Sequence, residues 1–162
     1  MTFECHDGTA YVVDGEGPPV VLIHGMGLKR DMWDWQLVPL TRRFQVIRYD
    51  LLGHGDSADP PADCGMAHLV AQLHELLEHL QVQRCALVGF SLGGMIVRAY
   101  ALAHPERVAA LAILNSAHDR NEAERAGMRE RLDRAIRLGH VATIGAALAL
   151  ALMHICRCRP PT

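Results

Sequence analysis

One short segment constrains the fold of this chain more than any other. Val88–Gly94 reads Val-Gly-Phe-Ser-Leu-Gly-Gly and lies between an apolar run typical of a strand and the helix-compatible stretch Leu92–Ala103. A strand that reverses into a helix within so few residues forces the residue at the turn into a strained conformation with positive φ. We therefore expect Ser91 at a sharp turn with its hydroxyl exposed. Glycine is expected at Gly89 and Gly93 because larger side chains would collide across that turn.

Strands and helices alternate along the rest of the sequence. Short extended or apolar runs predict six strands, Phe3–His6, Ala10–Asp14, Val20–Ile23, Phe44–Tyr49, Cys85–Val88 and Val108–Leu114. The pair Asp7-Gly8 predicts a hairpin turn between the first two. Helical patterns cover Asp31–Arg43 (with a break at Pro39), Met66–Leu80, Leu92–Ala103 and Asp119–Leu138. Strands separated by helices indicate βαβ units, so we predict an α/β fold with a doubly wound, mostly parallel sheet.

Composition excludes several classes of protein. The 162 residues are 50% hydrophobic and 21% charged, which is ordinary for a globular domain and excludes wholesale disorder. The 16 Lys and Arg are offset by 18 Asp and Glu with no basic tract, so we expect no nucleic-acid partner. The five cysteines are scattered and form no Cys-x-x-Cys pair, so we expect neither a structural metal nor a disulfide framework.

The sequence also bears on localisation. Its first residues lack a basic segment followed by an apolar core, so no signal peptide is predicted. The apolar run Val141–Met153 has 13 residues, fewer than the roughly 20 that a membrane-spanning helix needs. We interpret that run as a buried helix and predict no membrane partner. With cysteines in no disulfide pattern, the expected compartment is the cytoplasm.

A serine at such a strand-to-helix turn is typical of a nucleophile, and a second motif supplies what a nucleophile needs nearby. Ile-His-Gly-Met-Gly, residues 23–27, directly follows the buried strand Val20–Ile23. Acyl transfer needs two N–H donors that point at the oxygen where negative charge develops, one from the residue after the nucleophile and one from a loop after an earlier strand. These donors are predicted to be the backbone N–H groups of Leu92 and Met26. Glycines at positions 25 and 27 would let the loop approach the nucleophile closely.

A third motif, Tyr-Asp-Leu-Leu-Gly-His-Gly-Asp-Ser over residues 49–57, completes an ordered set. Together the three motifs resemble the α/β-hydrolase fold superfamily, and most of all its small esterases, enol-lactonases and cofactor-free haloperoxidases, from about Phe3 to about Ala147. The resemblance implies a serine hydrolase that acts on a small ester or lactone through an acyl-enzyme, without metal or cofactor. It implies Ser91 as the nucleophile and Met26 and Leu92 as the oxyanion-hole donors. A loop near the site would be shaped by Asp50, Gly53, His54 and Gly55.

Three histidines lie close to these motifs in the sequence. The resemblance gives His24 and His54 an architectural role within their loops rather than that of a base. His104 precedes Pro105 at a helix end, where an imidazole interacts favourably with the last carbonyl groups.

The resemblance also defines what the chain lacks. In the superfamily an acid and then a histidine follow the serine along the chain, and the predicted strands amount to about six of the family's eight. We therefore expect a truncated or frameshifted member, or a fragment, of a longer protein: residues 1–118 as the N-terminal part of the core, 119–155 as the start of a helical cap, and 156–162 as a tail outside the family. Asp119 is a candidate substitute acid, whereas His118, His140 and His154 are poorly placed to serve as the base.

Two other functions stay open on the sequence alone. One is a catalytically inactive family member that acts, if at all, as a binding or interaction module. The other is a cofactor-free haloperoxidase or lyase on the same scaffold, while serine rather than aspartate at position 91 argues against haloalkane dehalogenase chemistry. Because the last strands of the family are missing, the sheet would end at Val108–Leu114 and leave an apolar edge unpaired. We predict self-association through this edge.

Overall fold

The computed structural model describes residues 3–116 and 121–138 of the chain. The chain divides into two compact units, residues 1–118 and residues 119–162. The first contains a sheet flanked by helices, and the second contributes one described helix.

The first unit is built on a six-stranded sheet. Its strands in chain order are β1 (Glu4–His6), β2 (Thr9–Asp14), β3 (Pro19–Ile23), β4 (Gln45–Tyr49), β5 (Cys85–Phe90) and β6 (Val108–Leu114). Their spatial order is β1-β2-β4-β3-β5-β6. The pairs β1–β2 and β2–β4 are antiparallel, whereas β4, β3, β5 and β6 run parallel to their neighbours. The predicted α/β class with a mostly parallel sheet is therefore confirmed.

A tight turn joins the two N-terminal strands. Asp7 and Gly8 both have positive φ, 46° and 74°, which is the combination that a two-residue hairpin turn matching the strand twist requires. The hairpin predicted from the Asp-Gly pair is thus confirmed.

Four α-helices are described: α1 (Asp34–Leu40), α2 (Met66–His79), α3 (Leu92–Ala103) and α4 (Glu122–Leu138), with 3₁₀ turns at Arg30–Trp33 and Pro105–Arg107. The predicted break at Pro39 is wrong, because α1 continues through it. The proline lies one residue before the end of the helix and removes only one donor there. Thr41 then closes the helix, since its N–H and its hydroxyl both donate to the carbonyl oxygen of Leu37 at 2.8 Å.

Apolar side chains are buried on both faces of the sheet, as the continuous apolar run of β3 predicts. Val21 and Ile23 belong to one cluster, which also contains residues of α2 and α3, among them Leu73, Leu76, Leu77, Ile96 and Val97. Val20 and Leu22 belong to the other, together with Trp33 and Val46. Because side chains alternate along a strand, the central strands bury residues on both faces of the sheet.

The strand β6 differs from the other strands of the parallel set. It pairs with β5 on one side, and within residues 3–116 and 121–138 no strand pairs with its other edge. Residues 109–114 are all exposed, including Leu111, Ile113 and Leu114. In the described part of the chain, the outer edge of this strand is therefore apolar and has no partner strand, and self-association through it stays a prediction.

The helix α4 of the second unit begins with a reciprocal cap. The side chain of Asn121 accepts the N–H of Glu124 at 3.0 Å, and the carboxylate of Glu124 accepts the N–H of Asn121 at 2.9 Å. This exchange satisfies donors that the first turn of a helix leaves free. That α4 begins a cap over the active site stays a prediction, and residues 139–162 lie outside the described part.

Candidate active site

The segment around Ser91 forms a strand-to-helix turn. β5 ends at Phe90, α3 begins at Leu92, and Ser91 between them has φ 52° and ψ −109°. Positive φ is rare for a residue with a side chain and marks strain that surrounding contacts must hold. Here the N–H of Ser91 donates to the carbonyl oxygen of Leu114 at 2.9 Å, and the Ser91 carbonyl accepts the Ser116 hydroxyl at 2.7 Å. The predicted strained turn is confirmed.

The two flanking glycines are required by close backbone contacts. A Cβ at Gly89 would overlap the carbonyl of Gly93 and lie 2.6 Å from the nitrogen of Gly94. A Cβ at Gly93 would overlap the carbonyl oxygen of Ile23 and lie 2.7 Å from that of His24. Both clashes are with backbone, which cannot move aside as a flexible side chain can. The sequence prediction for these two positions is therefore confirmed.

The loop after β3 approaches Ser91 directly. Gly25 to Leu28 form a β-turn in which the N–H of Leu28 donates to the carbonyl oxygen of Gly25 at 3.2 Å. Gly27, the third residue of the turn, has φ 72°, the left-handed conformation that a type II turn needs at this position. A Cβ at Gly25 would lie 3.2 Å from the Cβ of Ser91 and 3.0 Å from the ring of Phe90. Glycine at position 25 thus lets this loop lie against the turn that carries the serine.

The N–H groups of Met26 and Leu92 are both available at this junction. Leu92 opens α3, so its N–H has no acceptor within the helix. In the described part of the chain, neither of these two N–H groups has a hydrogen-bond acceptor. The Met26 side chain is 62% exposed. Free N–H groups at a helix N-terminus favour an oxygen that carries negative charge.

A buried carboxylate holds the neighbouring loop, residues 50–57, against the loop after β3. Asp50 is fully buried and accepts the N–H of Arg30 at 2.7 Å and the N–H of Asp56 at 3.0 Å. It also forms an ion pair with the guanidinium of Arg30, which reaches Asp56 as well at 2.8 Å. A Cβ at Gly55 would overlap the Asp50 carboxylate, so the loop needs glycine there. The expected role of the Asp50 loop in shaping this region is consistent with these contacts.

The two histidines of these loops bind backbone groups through both ring nitrogens. His24 accepts the N–H of Leu51 at 3.0 Å through Nε2, and its Nδ1 lies 2.8 Å from the carbonyl oxygen of Gly25. Because a backbone N–H only donates and a carbonyl only accepts, the assigned tautomer is the neutral ring protonated at Nδ1. Burial lowers the pKa of His24, which also favours the neutral ring.

His54 has the same arrangement. Its Nε2 accepts the N–H of Gly27 at 3.0 Å, and its Nδ1 lies 3.0 Å from the carbonyl oxygen of Leu52. Both nitrogens of both rings are therefore engaged in holding loops together. The architectural interpretation made from the sequence agrees with this geometry.

In the part of the chain that the structure describes, residues 3–116 and 121–138, no acid or base is hydrogen-bonded to Ser91 Oγ. Four residues considered as substitutes, His118, Asp119, His140 and His154, lie outside the described residues. His104 stacks on the ring of His74, with 4.6 Å between ring centroids, and this contact was not predicted from the sequence.

Three residues of this region were missed by the sequence analysis. Ser116 holds the Ser91 carbonyl, Arg30 pairs with Asp50, and Gln72 of α2 donates to the carbonyl oxygen of Asp50 at 3.0 Å. None lies in a recognisable motif. The signal they gave was positional, because Ser116 lies just beyond the carboxyl end of β6 and Arg30 lies in the connection that follows the carboxyl end of β3.

Two further expectations concern metals and membranes. No cluster of three or more His, Cys, Asp or Glu side chains suited to a metal ion occurs among the described residues. In the same part of the chain, no helix has the length and apolar character needed to cross a membrane. The run Val141–Met153 lies outside it.

Comparison with known proteins agrees with this fold and these motifs. Residues 18–159 match the family model described as alpha/beta hydrolase fold. The (E)-2-((N-methylformamido)methylene)succinate hydrolase of Acinetobacter baylyi is 32% identical over 131 residues, 81% of this chain and 49% of the relative. The crystal structure of a hydrolase from Pseudomonas aeruginosa superposes with a TM-score of 0.82 at 32% identity, covering 98% of this chain and 62% of the other. The enol-lactonase of Burkholderia xenovorans gives a TM-score of 0.80 at 29% identity, covering 91% and 58%.

The chain therefore belongs to the α/β-hydrolase fold family, and the resemblance inferred from its three motifs is confirmed. The relatives named above are hydrolases. The chain spans 31% to 49% of the length of curated relatives that it matches.

Proposed function

We propose that this chain carries the nucleophile and the oxyanion hole of a serine hydrolase that acts on a small ester or lactone. The observation that supports this most directly is the turn at Ser91, where a serine with positive φ stands at the N-terminus of α3 and faces the loop containing Gly25. The same arrangement would be hard to explain in a protein that only needs a stable sheet, because it stores backbone strain at one serine.

The proposed reaction begins when Ser91 Oγ attacks the carbonyl carbon of the substrate. The carbonyl oxygen becomes negatively charged and accepts the N–H groups of Met26 and Leu92. The C–O bond to the leaving alcohol then breaks, the alcohol takes up a proton, and an acyl-serine remains. Water attacks this ester in turn, releasing the carboxylic acid and restoring the hydroxyl.

A base must accept the Oγ proton in the first step. No described residue is hydrogen-bonded to Ser91 Oγ, so the proposed base is a residue outside the described part. Small esters and lactones are the proposed substrates because relatives of similar fold are an enol-lactonase and a thermophilic esterase from Thermogutta terrifontis.

The test is covalent labelling with a fluorophosphonate probe, which forms a phosphonyl-serine that mimics the charged tetrahedral intermediate. The unaltered chain is expected to be labelled at Ser91, identified by peptide mass spectrometry, and Ser91→Ala is expected to abolish labelling. Ser57→Ala is the matched control, because Ser57 Oγ contacts only the backbone of Ala10 and Asp50 and should leave the label in place. No labelling of the folded protein would favour the inactive binding-module alternative.

A further inference from the structure

The loop after β3 that contains Met26 and Gly27, called the oxyanion loop below, is held by the imidazole of His54, which is not hydrogen-bonded to Ser91. His54 Nε2 accepts the N–H of Gly27, the residue that follows Met26. We infer that His54 is a positioning residue for the oxyanion hole: it engages the Gly27 N–H and so leaves the adjacent Met26 N–H as the donor for substrate. The inference rests on the proposed function, since it assigns a task to a loop that this function uses.

The geometry of the turn explains why a separate clamp is needed. Gly27 has φ 72°, and glycine loses more conformational freedom on ordering than any other residue. The turn itself has one internal hydrogen bond, from Leu28 N–H to the carbonyl oxygen of Gly25. Without the bond to His54, the peptide between Met26 and Gly27 could rotate and present the Gly27 N–H, or its own carbonyl, toward Ser91.

The bond exists in only one protonation state of the ring. Nδ1 faces the carbonyl oxygen of Leu52 and carries the proton, so Nε2 holds the lone pair that accepts the Gly27 N–H. An imidazolium carries N–H on both nitrogens. Protonation at Nε2 would therefore set two N–H groups against each other and break the contact.

The charged and titratable neighbours of His54 lie in the two loops that meet at the site. The ring of His24 is nearest, with 5.2 Å between centroids, and burial lowers its pKa, so it adds no positive charge near neutral pH. Behind it lies the Asp50 carboxylate, 3.9 Å from His24 Nε2. Asp50 is paired with Arg30, which also pairs with Asp56. The charges of Asp50, Arg30 and Asp56 are therefore paired with one another, and none of these residues replaces His54 as the acceptor of the Gly27 N–H.

The hydrogen bond can be observed directly by nuclear magnetic resonance. An N–H···N bond transmits a scalar coupling between its two nitrogens, so uniformly ¹⁵N-labelled protein should show a coupling between Gly27 N and His54 Nε2 at about pH 8. A His54 ring protonated at Nε2 at high pH, or no coupling to Gly27, would overturn the inference.

Two substitutions separate a positioning role from a merely structural one. In His54→Gln, the side-chain oxygen can take the place of Nε2 as an acceptor. In His54→Asn, the amide can replace only Nδ1 and falls short of Gly27. The rate of fluorophosphonate labelling is expected to fall on the order of fivefold in His54→Asn, the loss of about one hydrogen bond, and to be largely restored in His54→Gln.

Thermal unfolding gives the second readout. The thermal midpoints of the two variants should be similar, so that a difference in labelling rate reflects the position of the Met26–Gly27 backbone and not a loss of stability. Equal labelling rates in the two variants would overturn the inference. If the unaltered protein is not labelled at all, the proposed function fails, whereas the coupling measurement still decides whether His54 holds Gly27.

Discussion

His24 is a buried histidine whose protonation links the stability of the fold to pH. Its ring is fully buried, its Nε2 accepts the N–H of Leu51, and burial lowers its pKa below the ordinary value of 6.5. The unfolded chain therefore binds a proton at this position before the folded protein does. It follows that the free energy of unfolding decreases as the pH falls below about 6.5, and that the stabilisation is fully present above that value.

The variant His24→Gln tests this directly, because its side-chain oxygen can still accept the Leu51 N–H and cannot be protonated. Urea unfolding between about pH 8 and pH 5 should show the unaltered protein losing stability relative to the variant as the pH falls. One proton accounts for a slope of at most about 1.4 kcal/mol per pH unit. The other nine histidines are present in both proteins, so their effects cancel in the difference. Parallel curves would contradict the prediction.

The sequence predicted some of these residues well and others not at all. Ser91, Gly89 and Gly93 were predictable because one local constraint, a strand reversing into a helix, dictates all three. Arg30 and Ser116 were not, because their partners, Asp50 and the Ser91 carbonyl, are 20 and 25 residues away in sequence. A contact at that separation depends on how the strands are arranged, and no local pattern encodes it.

At the level of the elements, the junction of β5 and α3 determines whether the site can form. The variant Gly89→Ala would place a methyl group against the backbone of Gly93 and Gly94. This clash can be relieved only if β5 and α3 move apart. We expect it to lower the free energy of unfolding by about 2 to 3 kcal/mol, measured by urea denaturation.

Gly127→Ala is the matched control for that substitution. An added Cβ at Gly127 would meet nothing within 4 Å, and alanine favours a helix by about 1 kcal/mol over glycine. It should leave the unfolding of the sheet unit unchanged. If Gly89→Ala were as stable as the unaltered protein, the close approach of Gly89 to α3 would not exist in solution.

Helix and strand positions were largely predictable, and the one clear error is instructive. Apolar periodicity placed α2 and α3 within a residue or two of their observed ends. Pro39 was read as a break because proline disrupts the interior of a helix. The structure places it in the last turn of a seven-residue helix, where the contacts of Thr41 with Leu37 close the chain. Whether a proline interrupts a helix depends on where the helix ends, and tertiary packing decides that.

On the scale of the whole molecule, the order of strands in the sheet follows from general rules rather than from any motif. Parallel strands joined by helices with right-handed crossovers can be arranged in few ways, and the apolar strand β3 lies between two parallel neighbours, β4 and β5. These rules do not predict which loop residues contact each other. The ion pair of Arg30 and Asp50 forms because the connections that carry them both begin at the carboxyl edge of the sheet, after β3 and β4.

The exposed strand β6 leads to the last prediction, that this chain self-associates. Leu111, Ile113 and Leu114 are each about two-fifths exposed, and no described strand covers the outer edge of β6. An apolar strand with free N–H and carbonyl groups is a template for pairing with another chain, and a second copy offers the same edge. Sedimentation velocity at increasing concentration should therefore show a shift from monomer to larger species.

A charge at the edge should oppose this pairing, because a lysine ammonium would have to lose its water in the interface. Leu111→Lys is expected to keep the protein monomeric at concentrations where the unaltered chain associates. Leu102→Lys removes an equally apolar side chain that is 80% exposed on α3 and is not part of β6, and it should associate like the unaltered chain. If the two variants behave alike, general hydrophobic exposure and not the β6 edge drives association. A monomer at every concentration would exclude the edge as a contact altogether.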